Sequence, residues 1–310
     1  MRVILLGPQR RPTLDSVIAS LDIGGPIATI TAGWQERESD DAELSQLLGS
    51  ADVNLRLYRR WLEVLDRDPE FAQAQRAQQR VLDQAQEIYL LRLDHALRAV
   101  YAIQRASSGD RLRAEATAEA IAAVTALDAE HLRRVDGIRG EFYARWQPHG
   151  RPMIAEHRGE VAGLLGAAAA VAIAGGHVGV LAEVLHLLNI APALRSPVIA
   201  WSAGAMALTD RIVLFHDRSA RGSGHAEVYG SGLSVVRDTV LLPHARARLL
   251  LDDAPRMAVF ARRFAPARCV PLEAGTRIDV SSDGTWADGA WPAGIRVLGE
   301  DGHVSAREAA

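Results

Sequence analysis

Four short runs of almost unbroken apolar residues, each closed by a small residue, constrain the fold of this chain more than any other feature. They are "RVILL" at 2–6, followed by Gly7-Pro8, then "PIATITAG" at 26–33, "AAAVAIAGG" at 168–176 and "SPVIAWS" at 196–202. A strand with one wet face alternates apolar and polar residues, whereas a strand covered on both faces does not. Helical patterns lie between the runs, one at 13–21 with Thr13 as its cap and one in "HVGVLAEVLHLL" at 177–188. This order predicts an α/β fold: a mostly parallel sheet, flanked by helices and joined by right-handed crossovers.

Residues 52–149 have a different character. Leu82, Ala85, Tyr89, Leu93, Ala96, Val100 and Ile103 recur at steps of three and four. "SSGD" at 107–110 reads as a turn and helix start, and Ile121, Val124, Leu132, Val135, Ile138 and Phe142 mark a second face. Pro148 and Gly150 close the pattern. The segment predicts a long antiparallel helical hairpin inserted into an α/β domain formed by 1–51 and 150–310. Its plain role is packing or dimerisation, so a homodimer through the α/β domain or the insertion is one expectation. From about 211 the chain returns to β-like runs, "DRIVLFHD", "DTVLLPH" and "RIDVSSDG", with "SDG" and "EDG" as hairpin turns.

Composition narrows the function classes. The 310 residues are 48% hydrophobic, enough for a sizeable core, and the formal charge of −3 argues against nucleic acid or an acidic membrane as partner. All 35 basic residues are arginine, which excludes a lysine nucleophile, a Schiff base and a P-loop lysine. The single cysteine, Cys269, allows no intrachain disulfide and fits a cytoplasmic protein. The N-terminus has no long apolar core or cleavage site of a signal peptide, and the apolar segment 161–174 is too short to span a bilayer.

The fourth apolar run ends on a serine that carries chemistry. "AWSAG", residues 200–204, has small residues at both second neighbours of Ser202, as a tight strand-to-helix nucleophile elbow requires. The helix start places the Ala203 amide as an oxyanion donor. The plain alternative is a serine capping a helix. A nucleophilic serine needs a histidine base and an orienting carboxylate. Of the ten histidines, His244 stands out, because it ends "DTVLLPH" and Pro243 stiffens that strand exit. His225 and Glu227 lack a third metal ligand at credible spacing, so no metal is expected.

At these residues a family resemblance becomes specific. "IAGGHVGVLAEVL", "IAWSAGAMALTD" and "GSGLSVVRDTVLLPHARARLL" together resemble the S51 serine peptidases, which include cyanophycinases and dipeptidase E on a class I glutamine amidotransferase-like fold. The matching pattern is the Gly175-Gly176 turn, the Ser202 elbow, Gly232-Leu233, Pro243-His244 and the spaced Arg246 and Arg248. It covers roughly 1–51 and 150–282 and leaves out the helical insertion. The resemblance implies a cofactor-free serine hydrolase acting on small peptides. Ser202 would be the nucleophile and His244 the base, while Gly175, Gly176 and Ala203 would form the oxyanion hole. The spacing 244 − 202 = 42 suits the cyanophycinase branch. The third member is Glu273, displaced by one residue from the family position, or Asp217, at 217 − 202 = 15 as in the dipeptidase branch. Ala245 departs from the family's phenylalanine, and Asp210 reads as structural.

Arg246 and Arg248 are candidate grips for a substrate carboxylate, and their two-residue spacing lets at most one face the site. Trp34, Gln35 and Glu36 follow the second strand and are candidate pocket lining. A reading from another class keeps the fold as a sensor or assembly module, with the helical insertion as its working surface. Amidotransferase chemistry is disfavoured, since such domains use a cysteine at the elbow.

Overall fold

A computed structural model of the chain describes residues 1–9, 13–49, 52–107, 109–217, 224–280 and 295–306. The first half of the α/β unit runs β1 (Val3–Leu6), α1 (Leu14–Ala19), β2 (Ile27–Ile30), a 3-10 segment at Ala32–Arg37, α2 (Ala42–Leu48) and β3 (Asp52–Asn54). Helices α3 (Leu57–Arg67), α4 (Pro69–Gln104), α5 (Asp110–Trp146) and α6 (Pro152–Ala167) follow. The second half continues through β4 (Ala170–Ile173), α7 (Val178–Leu187), β5 (Val198–Trp201), α8 (Ala203–Ala207), β6 (Arg211–Leu214) and β7 (Glu227–Ser231). It ends with β8 (Thr239–Pro243), α9 (Ala245–Arg248), α10 (Ala254–Phe264), β9 (Arg268–Leu272), β10 (Arg277–Val280), β11 (Arg296–Leu298) and β12 (Val304–Ala306).

The main sheet has the order β10-β1-β5-β4-β2-β3 and is parallel except for β10 at one edge. Every residue of β1, β2, β4 and β5 is buried, as strands covered on both faces must be. β3 is a strand inside the segment expected to be helical. Its three residues, Asp-Val-Asn, form the polar outer edge and are too few to show alternation. Asn54 ties that edge down by donating to Thr31 Oγ1, the Glu38 carbonyl and Asp41 Oδ2.

Four strands form a second sheet, β12-β11-β9-β8, in which β8 and β9 are parallel and joined through α10. This βαβ unit delivers two strand exits side by side, since Pro243 pairs with Leu272. β6 and β7 form a separate antiparallel pair. The "EDG" turn joins β11 to β12, closed by a bond from Gly299 N–H to the His303 carbonyl. The "SDG" turn lies outside the described residues.

Helices α4 and α5 form the expected hairpin. α4 starts where Asp68 accepts the Phe71 N–H at 3.0 Å and Pro69 occupies the first turn. Its 36 residues span about 54 Å. The buried row Leu82, Ala85, Tyr89, Leu93, Leu97 and Val100 faces inward, opposite Ile121, Val124 and Val135 of α5. A buried polar cluster joins the hairpin to the α/β unit. Arg263 of α10 grips Asp128 of α5 through Nε at 2.6 Å and Nη2 at 2.7 Å, and donates from Nη1 to the Ala226 carbonyl. The Tyr89 hydroxyl donates to Asp128 and accepts from Arg263 and from the Val228 N–H. Every charge in the cluster is paired, as burial demands.

No helix among the described residues is long and apolar enough to cross a membrane.

Candidate active site

Parallel register brings the chemistry to one edge. Leu6 pairs with Trp201 and Ile173 with Ala200, so Gly7, Ser202 and the Ala174–Gly176 turn all leave the carboxyl ends of neighbouring strands. Ligands in open α/β sheets bind at that edge. Ser202 sits between β5 and α8 at φ 51°, ψ −122°, a region that non-glycine residues rarely occupy. Such strain costs about 1–3 kcal/mol and persists only where the surroundings impose it.

The surroundings do impose it. A Cβ on Gly204 would collide with the Ile173 carbonyl and stand 2.7 Å from the Ala174 carbonyl oxygen. A Cβ on Gly175 would stand 2.9 Å from that of Ser202. Gly176, at φ +123°, lies hard against the Gly33 carbonyl, which also accepts the His177 N–H at 2.7 Å. The elbow, the Gly175-Gly176 turn and the Gly33 loop are therefore packed backbone to backbone. Gly204→Ala should destabilise the protein by about 1–3 kcal/mol, the usual cost of overpacking a tight site. It should also slow any reaction of Ser202. A thermal melt read beside Ser202 labelling checks both, and an unshifted melt would mean that the elbow tolerates a side chain.

A cavity of about 930 Å³ opens over this edge, lined by Ser202, Ala203, Gly175, Gly176, Trp34, Arg248 and His244 among others. His244 follows β8 in the left-handed conformation (φ 58°, ψ 35°) and donates its N–H to the Leu272 carbonyl at 3.1 Å. One residue beyond Leu272, Glu273 accepts the Arg246 N–H on Oε1 at 2.8 Å. The exits of β8 and β9 thus place His244 and Glu273 together. Of the two spaced arginines, Arg248 lines the cavity and Arg246 does not.

Other expected residues lie elsewhere. Asp217 is buried and committed to Arg256, which grips it through Nη2 at 2.6 Å and Nε at 3.2 Å, and it also accepts the Leu250 N–H. It does not line the cavity. Glu36 turns away and accepts from the Tyr58 hydroxyl at 2.8 Å. Gln35, at φ 58°, ψ −125°, takes nearly the same backbone conformation as Ser202 and makes that turn, but it does not line the cavity either. Asp210 accepts the Asp238 N–H at 2.8 Å, a structural bond. His225 faces Asp94 and Glu227 faces Gln86. Burial pushes the Cys269 thiol up to about 12, so it stays protonated and unreactive.

Local sequence patterns did not single out several lining residues that carry donors or acceptors: Gln9, Arg37, Asp40 and Glu43, and, nearer the elbow in sequence, His177, His216 and Tyr229. Burial first, then the Arg248 charge, hold the His216 imidazole below its usual range. The signal for His177 was its place directly after the Gly175-Gly176 turn. Nothing local marks Tyr229, which reaches the cavity from β7.

No family model matches the sequence, and no curated protein sequence matches it. Among solved structures, a peptidase from an acI-B1 Actinobacterium is similar, with a TM-score of 0.46 and 12% identity. The similarity covers 99% of this chain and 94% of that one.

Proposed function

We propose that this protein is a serine hydrolase of the S51 peptidase type that cleaves amide bonds in small peptides. The observation that carries the reading is the strained Ser202 backbone, which faces a cavity shared with His244. Strain of this kind at a strand-to-helix turn presents the hydroxyl oxygen to a substrate. Ser202 Oγ attacks the carbonyl carbon and its proton passes to His244. The amides of Ala203 and Gly176 hold the resulting oxyanion, each contributing about 3 kcal/mol. The C–N bond then breaks, and His244 gives the proton to the departing amine. Water attacks the ester, losing a proton to His244, and the acid leaves as Oγ regains its hydrogen.

Glu273 is the better candidate to orient His244, because it stands at the neighbouring strand exit, whereas Asp217 is held by Arg256. Arg248 and Trp34 would contact the substrate. His216 is the competing base, since it lines the same cavity.

An alkyl fluorophosphonate, with the adduct mapped by mass spectrometry, tests the reading. The expected result is a single adduct on Ser202 that persists in His216→Ala and is lost in His244→Ala. An unlabelled protein, or an adduct on another residue, removes the proposal.

A further inference from the structure

The cavity wall beyond the Gly175-Gly176 turn carries two polar groups that the chemistry above does not use. His177 caps α7: its Nδ1 accepts the Val180 N–H at 3.1 Å, so the ring proton sits on Nε2. Tyr229 reaches the same turn from β7. A Cβ on Gly179 would stand 2.5 Å from the Tyr229 hydroxyl oxygen and 3.3 Å from Cε1 of His177. Both side chains line the cavity. Among the described residues, neither the Tyr229 hydroxyl nor the His177 Nε2 has a hydrogen-bond partner. Burial pushes the Tyr229 phenol up, so the hydroxyl keeps its proton and can donate.

Their place along the sheet decides which half of a substrate they meet. β1, β5 and β4 are neighbours in that order. Past β1, Gly7 packs against the Glu273 carbonyl, next to the Leu272 carbonyl that holds the His244 amide. Past β4 come Gly175, Gly176 and His177. Ser202, past β5, lies between the two. The departing amine must lie beside its proton donor, His244, so the acyl half extends toward His177 and Tyr229. An acceptor with two lone pairs can take a hydrogen bond from each of these neighbouring donors. After burial, Arg139 acts most on Tyr229, and Glu183, Asp83 and Glu227 oppose it; a neutral carbonyl adds no further charge beside these carboxylates.

We infer that His177 and Tyr229 form a subsite for a backbone carbonyl on the acyl side of the substrate. The preferred substrate then carries at least one amide bond N-terminal to the bond cleaved. This rests on the serine-hydrolase reading above, and the test separates the two.

Two phosphonate diesters serve as probes: diphenyl 1-acetamidoethylphosphonate, which carries one amide carbonyl in the acyl position, and diphenyl ethylphosphonate, which lacks it. In each, Ser202 Oγ bonds to phosphorus, phenoxide departs, and the serine proton ends on the phenol. The wild-type protein is expected to react about ten-fold faster with the acetamido probe, the effect of a well-made hydrogen bond. Tyr229→Phe and His177→Ser, the latter keeping a hydroxyl to cap α7, should each bring the ratio of the two rates to within about two-fold. A wild-type ratio near one, or a ratio that survives in both variants, overturns the subsite and leaves the nucleophile standing. A wild-type protein inert to both probes overturns the nucleophile and the subsite with it.

Discussion

Replacing Ser202 by alanine is expected to lower peptide hydrolysis by on the order of 10⁶-fold, the loss seen when a serine nucleophile is removed from a working triad. The residual rate would come from the oxyanion amides and from binding alone. Folding should be nearly untouched. Ser202 is only half-buried, and alanine meets the same backbone constraint at φ 51° as serine does. The strain is imposed by Gly204, Gly175 and the β4 carbonyls around it, none of which the substitution moves. Turnover measured beside a thermal melt decides the matter. Undiminished hydrolysis in a folded Ser202→Ala protein would exclude the nucleophile, and a collapsed melt would mean that Ser202 Oγ supports the fold instead.

The second large effect concerns how the helical hairpin is held. Arg263→Ala should cost about 3–5 kcal/mol in urea unfolding, because it leaves the Asp128 carboxylate buried without its cation. The Tyr89 hydroxyl and the Ala226 carbonyl each lose a donor in the same step. Arg263 and Asp128 are both almost fully buried, with side chains 2% and 3% exposed, so water cannot take over. The paired replacement Arg263→Met with Asp128→Leu removes both charges and should recover most of that loss. A cost below about 1 kcal/mol for Arg263→Ala would mean that the hairpin docks through its apolar rows alone. If the paired replacement is as damaging as the single one, packing at this junction outweighs charge.

Such an anchor changes what the hairpin is. Its periodic face was legible from Leu82 to Phe142, because a long amphipathic helix repeats its signal many times over. Its attachment was not. Asp128 and Arg263 are 135 positions apart, and each is unremarkable in its own neighbourhood. The same limit applies to β3, β7 and β9, which are short or packed in ways that periodicity does not reveal. β7 alternates only over five residues, and β9 holds a proline in its interior.

The four apolar runs determined the layered parallel sheet, since only strands covered on both faces can be built that way. The small residues around Ser202 determined the elbow, because carbonyls of the adjacent strand leave no room for side chains there. Which of the expected groups share the cavity, and which others join them, was decided by tertiary structure. The βαβ unit of β8, α10 and β9 sets His244 beside Glu273, an ion pair removes Asp217, and β7 carries Tyr229 to the turn that holds His177. Local patterns record what each segment needs from its immediate neighbours. Convergence of side chains from separate segments depends on how those segments pack, and no short stretch of chain encodes that.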